Sequence, residues 1–213
     1  SPPPKILDVG CGNGEFLRLA ASLGWSACGV EPDHQAAAAA DAAGLNVIAG
    51  RAEDLCDYYE NEFAVVTLSH VAEHLHNPLA TLVACRSLLR PGGNLWIETP
   101  NLDSIGFEWY GSAWRGLETP RHLVLFNWQS LLSLLTAAGF EEITLLPSRP
   151  VWEELFYKSE RAQHGLLAEV PMREDSVIRR TTARKLSKEA ATLVKQAPHR
   201  AEFLTVSARK PLP

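Results

Sequence analysis

The sequence predicts an α/β fold built on a doubly wound, mostly parallel sheet, and three observations carry that expectation. Short apolar runs such as Ile6–Val9 and Phe63–Leu68 alternate along the chain with segments of helical period. The first run passes directly into Gly10, Gly12 and Gly14, and then into Phe16, Leu17, Leu19, Ala20 and Leu23 at helical spacing. With 213 residues, 46% of them hydrophobic and 21% charged, the chain can bury the sizeable core of one such domain.

The remaining elements follow in order. Trp25–Glu31 is a second apolar strand closed by an acid. Asp33 caps a helix that runs through the alanines at 36–40 to Ala43, and Gly44 stops it. Leu45–Ala49 is the third strand, and Phe63–Leu68 the fourth, continuously apolar as a strand buried on both faces should be. Pro78 opens a helix to Arg90, and Pro91-Gly92-Gly93 turns the chain into a strand over Asn94–Glu98. Residues 100–126 read as a long loop carrying Trp109, Tyr110 and Trp114, which either wall a pocket or pack the loop onto the sheet. Asn127 caps a helix ending at Gly139, and Glu141–Leu146 and Ala201–Ala208 are the last two strands. Between those strands about fifty residues, from Pro150 to near Arg200, read as two or more helices inserted into a single domain that spans 1–213.

Composition narrows the functional classes. A net charge of −5 and a pI near 5.8 argue against general nucleic-acid binding. From Arg173 to Arg200, however, eight Lys/Arg face three Asp/Glu, a basic segment suited to an anionic contact or a homodimer interface, or simply to a solvated helix face. No apolar run approaches the ~20 residues of a membrane helix. Ser1-Pro-Pro-Pro-Lys5 is not a signal peptide, and Cys11, Cys28, Cys56 and Cys85 form no C-x-x-C pair, so a cytoplasmic protein with buried, reduced thiols is expected.

The glycine turn is a ligand cradle, because glycines let a ligand touch the backbone and a helix start attracts negative charge. A dinucleotide fingerprint requires G-x-G-x-x-G, whereas here the third glycine arrives one residue early. Asp8, two residues before the turn, would repel a pyrophosphate but suits a ligand with a cationic amine. S-adenosylmethionine has that ammonium, a carboxylate for the helix start, and ribose hydroxyls for an acceptor such as Glu31.

ILDVGCGNGEF (6–16) and GVEPD (29–33) resemble the first two motifs of the class I S-adenosylmethionine-dependent methyltransferases. LLRPGGNLWIETPN (88–101) is similar to the strand after the family's fourth motif, and residues 111–140 resemble a bacterial branch acting on small molecules and sugars, so the likeness covers roughly 5–149 and 201–210. It implies a Rossmann-like sheet of seven strands whose last strand runs antiparallel between its two predecessors, here interrupted by the insertion at 150–200. It also implies that the chain begins inside a longer protein, since the family usually carries helices before the first strand.

The cofactor set implied is Asp8, Gly10, Cys11, Gly12, Gly14, Glu31, Pro32, Glu53, Asp54 and Ser69. Asp54 is expected against the adenine amino group unless it only caps a helix. Ser69 and His70 are expected nearest the sulfonium methyl, and the lack of N/D-P-P-Y there weighs against amino-methylation of DNA bases.

Methyl transfer needs an acceptor aligned within about 3–3.5 Å of the methyl and, for a hydroxyl acceptor, a base. The candidate bases are His70, His74 and His122. His76, before Asn77-Pro78, reads as a helix-entry residue. Glu73 and His74 resemble the E-H pair of ubiquinone-type O-methyltransferases, a pair able to hold a divalent cation, but no metal is expected. The expected activity is O-methylation of a small molecule or a sugar. The alternatives are N- or C-methylation by proximity alone, or a binding domain that retains the cofactor without catalysis.

Overall fold

The computed structural model describes residues 2–149, 152–165 and 176–213. β1 (Lys5–Val9) pairs in parallel with β2 (Ser26–Glu31) on one side and β4 (Phe63–Ser69) on the other. β2 pairs with β3 (Val47–Ala49) and β4 with β5 (Leu89–Pro100), both parallel. β7 (Phe203–Arg209) lies antiparallel between β5 and β6 (Glu141–Leu145), completing a sheet of seven strands in the order β3-β2-β1-β4-β5-β7-β6. The strand order reverses between β1 and β4, where the carboxyl ends of the strands leave a crevice.

Side chains alternate across the sheet, so Leu7, Val66, Leu68, Leu95, Ile97 and Val206 share one face and are fully buried. α3 (Pro78–Leu88) and α5 (Trp128–Ala137) cover them with Leu82, Leu88, Leu131 and Leu135. The caps read from sequence are formed: Asn77 Oδ1 accepts from Ala80 N–H at 3.1 Å, and Asn127 Oδ1 from Ser130 N–H at 2.9 Å. Asp33 does the same for α2 (His34–Ala42), accepting from Gln35 and Ala36 N–H at 2.8 and 3.2 Å. α1 (Glu15–Ser22) buries only Leu17 and Ala20.

Two expectations are corrected. Pro91-Gly92-Gly93 does not precede the fifth strand but lies within it, as an irregularity where the register against β4 shifts between Phe63 and Val65. A Cβ on Gly93 would stand 2.9 Å from the Arg90 carbonyl and 3.1 Å from that of Ala64, so the glycine serves a close backbone approach instead of a turn. The supposed loop at 100–126 contains α4 (Ile105–Tyr110), capped by Ser104, and two single 3-10 turns over Gly111–Ala113 and Arg115–Leu117.

This stretch forms a second core with α6 (Trp152–Gln163) and α7 (Ser176–Gln196). Tyr110, Trp114, Phe156 and Ala190 are buried in it, so Tyr110 and Trp114 fill space between helices and do not wall a pocket. The Trp109 ring also packs there, 5.7 Å from that of Phe156. At its centre is the fully buried Glu202, whose carboxylate accepts from Gly106 N–H and Trp114 Nε1–H, both at 2.8 Å. The expected start of the insertion at Pro150, and Arg173 at the head of the basic segment, fall outside the described residues. No helix among the described residues is long and apolar enough to cross a membrane.

Burial pushes the Glu202 carboxyl from 4.5 up to about 7 despite its hydrogen bonds. The unfolded chain ionises this group first, so the stability it supports falls as pH rises from 4.5 through about 7. In urea titrations across that range, Glu202→Gln should flatten the dependence. Glu202→Leu should cost about 2–4 kcal/mol by stranding two buried donors.

Candidate active site

The glycine turn hangs on the end of β2: Gly10 and Cys11 N–H donate to the Val30 carbonyl at 2.8 and 3.3 Å. Gly10 has φ +70°, and a Cβ there would stand 2.6 Å from Val71 Cγ2; Gly14, at φ +77°, has Leu45 Cδ1 only 2.3 Å from the same point. A side chain at either position would be strained by the positive φ and would have to displace Val71 or Leu45. Glu31 holds the turn from below, its two carboxylate oxygens accepting from Gly12 N–H at 2.8 Å and Asp33 N–H at 2.9 Å.

A cavity of about 480 Å³ opens above this turn, the size of a cofactor site, and Gly10, Glu31, Pro32, Glu53, His70 and His74 lie on its wall. Four segments meet on this wall, around Gly10, Glu31, Ala52 and His74. Within the Glu53-Asp54 pair, Glu53 lines the cavity and accepts from Thr81 Oγ1–H at 2.6 Å. Asp54 turns away and accepts from Arg51 N–H at 2.8 Å, capping the 3-10 turn Ala52–Leu55. The cap is the geometry found for Asp54. Cys11 is buried beneath the turn against Gly29, where burial, with the charges of Asp8 and Glu31, pushes its thiol up to about 12.

Asp8 and Ser69 lie elsewhere. They line a separate cleft of about 390 Å³ with Phe16, Thr67 and Trp96, on the sheet face opposite Leu7 and Val66. Burial raises the Asp8 carboxyl to about 6, although Thr67 Oγ1–H donates to it at 2.6 Å.

The three histidines fall into two environments. His70, at φ +55°, sits where β4 ends, its N–H donating to the Glu98 carbonyl at 2.9 Å. Its Nδ1 is 3.4 Å from Glu73 Oε1, and its Nε2 is 3.2 Å from Glu98 Oε1 and 3.0 Å from Arg149 Nη2. A protonated ring faces these two carboxylates at ion-pair distance, whereas Arg149 Nη2 can donate to Nε2 only while the ring is neutral. Burial alone would lower the His70 pKa, but the two carboxylates outweigh it and raise it to about 9. Burial likewise pulls Glu73 and Glu98 upward, and hydrogen bonds from His70, with Thr99 at Glu73 and Thr205 at Glu98, hold both below the usual carboxylate range.

His74 and His122 differ. Their Nδ1 atoms stand 2.9 Å from the carbonyls of Arg121 and Gly116. A carbonyl can only accept, so each Nδ1 carries a hydrogen, and in the neutral ring Nε2 is the lone-pair nitrogen; that of His122 lies 3.7 Å from Glu118 Oε2. The rings meet edge to face at 4.8 Å, and burial lowers the His122 pKa, keeping it neutral. Leu123 and Val124 N–H both donate to the Glu73 carbonyl, at 2.7 and 3.1 Å, which brings the distant His122 segment to this corner. Glu73, His74 and His122 offer ligand atoms all within 4.8 Å of one another, the metal-capable group among the described residues. Glu98 and Arg149 escaped the sequence reading; an acid inside the apolar run LWIETP was the signal for the first.

A family model described as a methyltransferase domain matches residues 1–145. The chain belongs to the class I S-adenosylmethionine-dependent methyltransferases. It is 31% identical over 112 residues to the ubiquinone biosynthesis O-methyltransferase of Xanthomonas campestris pv. campestris (strain B100), covering 50% of this chain and 47% of that protein. The protein of the same name from Idiomarina loihiensis is 30% identical over 156 residues, covering 66% of this chain and 63% of its own. The chain thus spans about half the length of several curated relatives it matches. Among solved structures, a SAM-dependent methyltransferase from Archaeoglobus fulgidus superposes with a TM-score of 0.66 at 20% identity, over 98% of this chain and 86% of its own. The [4+2]-cyclase SpnF gives 0.65 at 21% identity, over 100% and 76%, so the likeness to these structures is one of fold.

This methyltransferase's residues fit the family's cofactor: the turn leaves open space beside the backbone of Gly12, where a Cβ would meet nothing within 4 Å, and the neighbouring cavity carries acceptors at Glu31 and Glu53. Its stability should also report the state of His70. A histidine raised from 6.5 to about 9 on folding contributes fully below 6.5, and the contribution is lost as pH rises through 9. Denaturation midpoints at pH 6, 7.5 and 9 should fall in that order, and His70→Gln should shrink the decline.

Proposed function

We propose that this methyltransferase transfers a methyl group to a hydroxyl of a small molecule or sugar, with His74 as general base and His122 supporting it. The observation that carries this reading is the free Nε2 of His74 on the cofactor cavity, its tautomer fixed by the Arg121 carbonyl. The relatives' name, an O-methyltransferase, supports the hydroxyl acceptor.

When bound, S-adenosylmethionine supplies the electrophilic methyl group. Gly10, Gly12 and Gly14 would cradle it, with Glu31, Pro32 and Glu53 on the cavity wall. His74 Nε2 takes the acceptor's proton as the oxygen becomes nucleophilic, and the Glu73 carboxylate beside it favours the imidazolium that results. His70 is a poorer base here, because, against the effect of burial, the carboxylates of Glu73 and Glu98 raise its pKa to about 9 and hold it protonated at neutral pH.

A second reading has its own observation. The Glu73–His74–His122 group is a donor set for a divalent cation, each imidazole oriented by a carbonyl behind it. Labelled cofactor with catechol as the hydroxyl probe separates the two. His74→Gln should lower kcat by about 10²–10⁴-fold and leave binding of S-adenosylhomocysteine unchanged. Dialysis against a chelator should leave the wild-type rate intact; loss of activity restored by added metal would reassign these histidines as ligands. Wild-type rates in both His74→Gln and His122→Gln would favour methylation by proximity alone.

A further inference from the structure

His70 belongs to two cavities. One is the cofactor cavity; the other, of about 510 Å³, lies between the start of β7 and helix α6 and is lined by Phe203, Arg149, Glu153, Glu154 and Lys158. The imidazole stands edge-on to the Phe203 ring, centroids 4.7 Å apart. The two cavities adjoin at this side chain, so a molecule seated in the second and extending past the ring would bring its other end to the cofactor cavity.

The charges on its wall are unequally matched. Glu153 receives Arg184 Nε at 3.0 Å, and Glu154 has Lys158 Nζ at 3.3 Å. Arg149 is held differently. Its Nη2 lies 2.8 Å from the buried Glu98 Oε1 and 3.0 Å from His70 Nε2, while its Nε and Nη1 have no partner among the described residues. The side chain is 57% exposed. A guanidinium on a cavity wall that is held at one nitrogen still has N–H donors able to receive two oxygens of one anion.

We infer that the methyl acceptor carries an anionic group, a carboxylate or a phosphate, which docks on Arg149 in the cavity between β7 and α6. This rests on the methyltransfer reading for calling the occupant an acceptor, though the anion site itself does not. Arg149 is here a specificity residue: it holds the far end of the molecule while His74 faces the cofactor side. Glu153 and Glu154 are each met by a cation, Arg184 and Lys158, so neither leaves an unmatched negative charge beside Arg149.

Calorimetry on the wild-type protein with S-adenosylhomocysteine tests the inference with three probes of similar shape: benzoate, phenylphosphonate and uncharged benzamide. At least one anion should bind ten-fold or more tightly than benzamide, and the stronger one tells carboxylate from phosphate. Arg149→Gln should abolish that preference and Arg149→Lys should keep part of it, with thermal melts confirming that both variants fold. Benzamide binding as tightly as both anions, or an anion preference that survives Arg149→Gln, overturns the inference. Anion binding that behaves as expected in a protein that methylates no hydroxylated probe would count against the proposed reaction and leave the Arg149 site standing.

Discussion

Two carboxylates buried at the carboxyl ends of the central strands, Glu73 and Glu98, impose the constraint around which this site is organised. A buried charge without a partner is expensive, so each must be met by donors or cations. His70 lies between them, Thr99 and Thr205 satisfy the remaining oxygens, and Arg149 reaches in from the segment that leads to α6. β4, β5, β7 and the approach to the helical insertion are thereby tied to one cluster. The backbone of Glu73 adds the His122 segment, through Leu123 and Val124. Matching two charges thus fixes where three histidines stand.

The same cluster separates the histidines chemically. His70 faces two carboxylates and is held as a cation, whereas His74 and His122 each donate from Nδ1 to a backbone carbonyl, with Glu118 near the other nitrogen of His122. Residues of one type therefore offer different chemistry within a few ångströms, the arrangement by which a fold runs acid and base work at a single pH. A second buried carboxylate centre, Glu202, plays the corresponding structural part in the helical layer, where its hydrogen bonds lock Gly106 and Trp114 together. Trp114 is consequently spent on packing, and the cavity between β7 and α6 takes its aromatic wall from Phe203 instead.

Much of the fold was legible because its signals are local. Glycines that must adopt positive φ, caps such as Asp33, Asn77 and Asn127, and apolar runs of strand length all act within a few residues. Misreadings arose where a local signal had a non-local use. Pro91-Gly92-Gly93 has turn chemistry, yet the neighbouring β4 backbone holds it inside a strand. Asp54 and Glu53 are adjacent acids of similar propensity, and only the path of one 3-10 turn decides which of them faces the cavity. Asp8 is expected from sequence to face the cofactor's amine, and the alternation of β1 places its side chain on the sheet face opposite Leu7, in a cleft separate from the cavity that Gly10 and Glu31 line.

The sequence by itself determined the α/β class, the glycine cradle with Glu31 beneath it, and the family, since each depends on residue types at short, fixed spacing. Tertiary structure decided which histidine has a free nitrogen, which acids are buried together, and that Arg149 stands at a second cavity. Those outcomes depend on groups as far apart as Glu73 and His122, or His70 and Arg149. Their distances are set by strand order and helix packing, and their protonation by the charges that packing brings near.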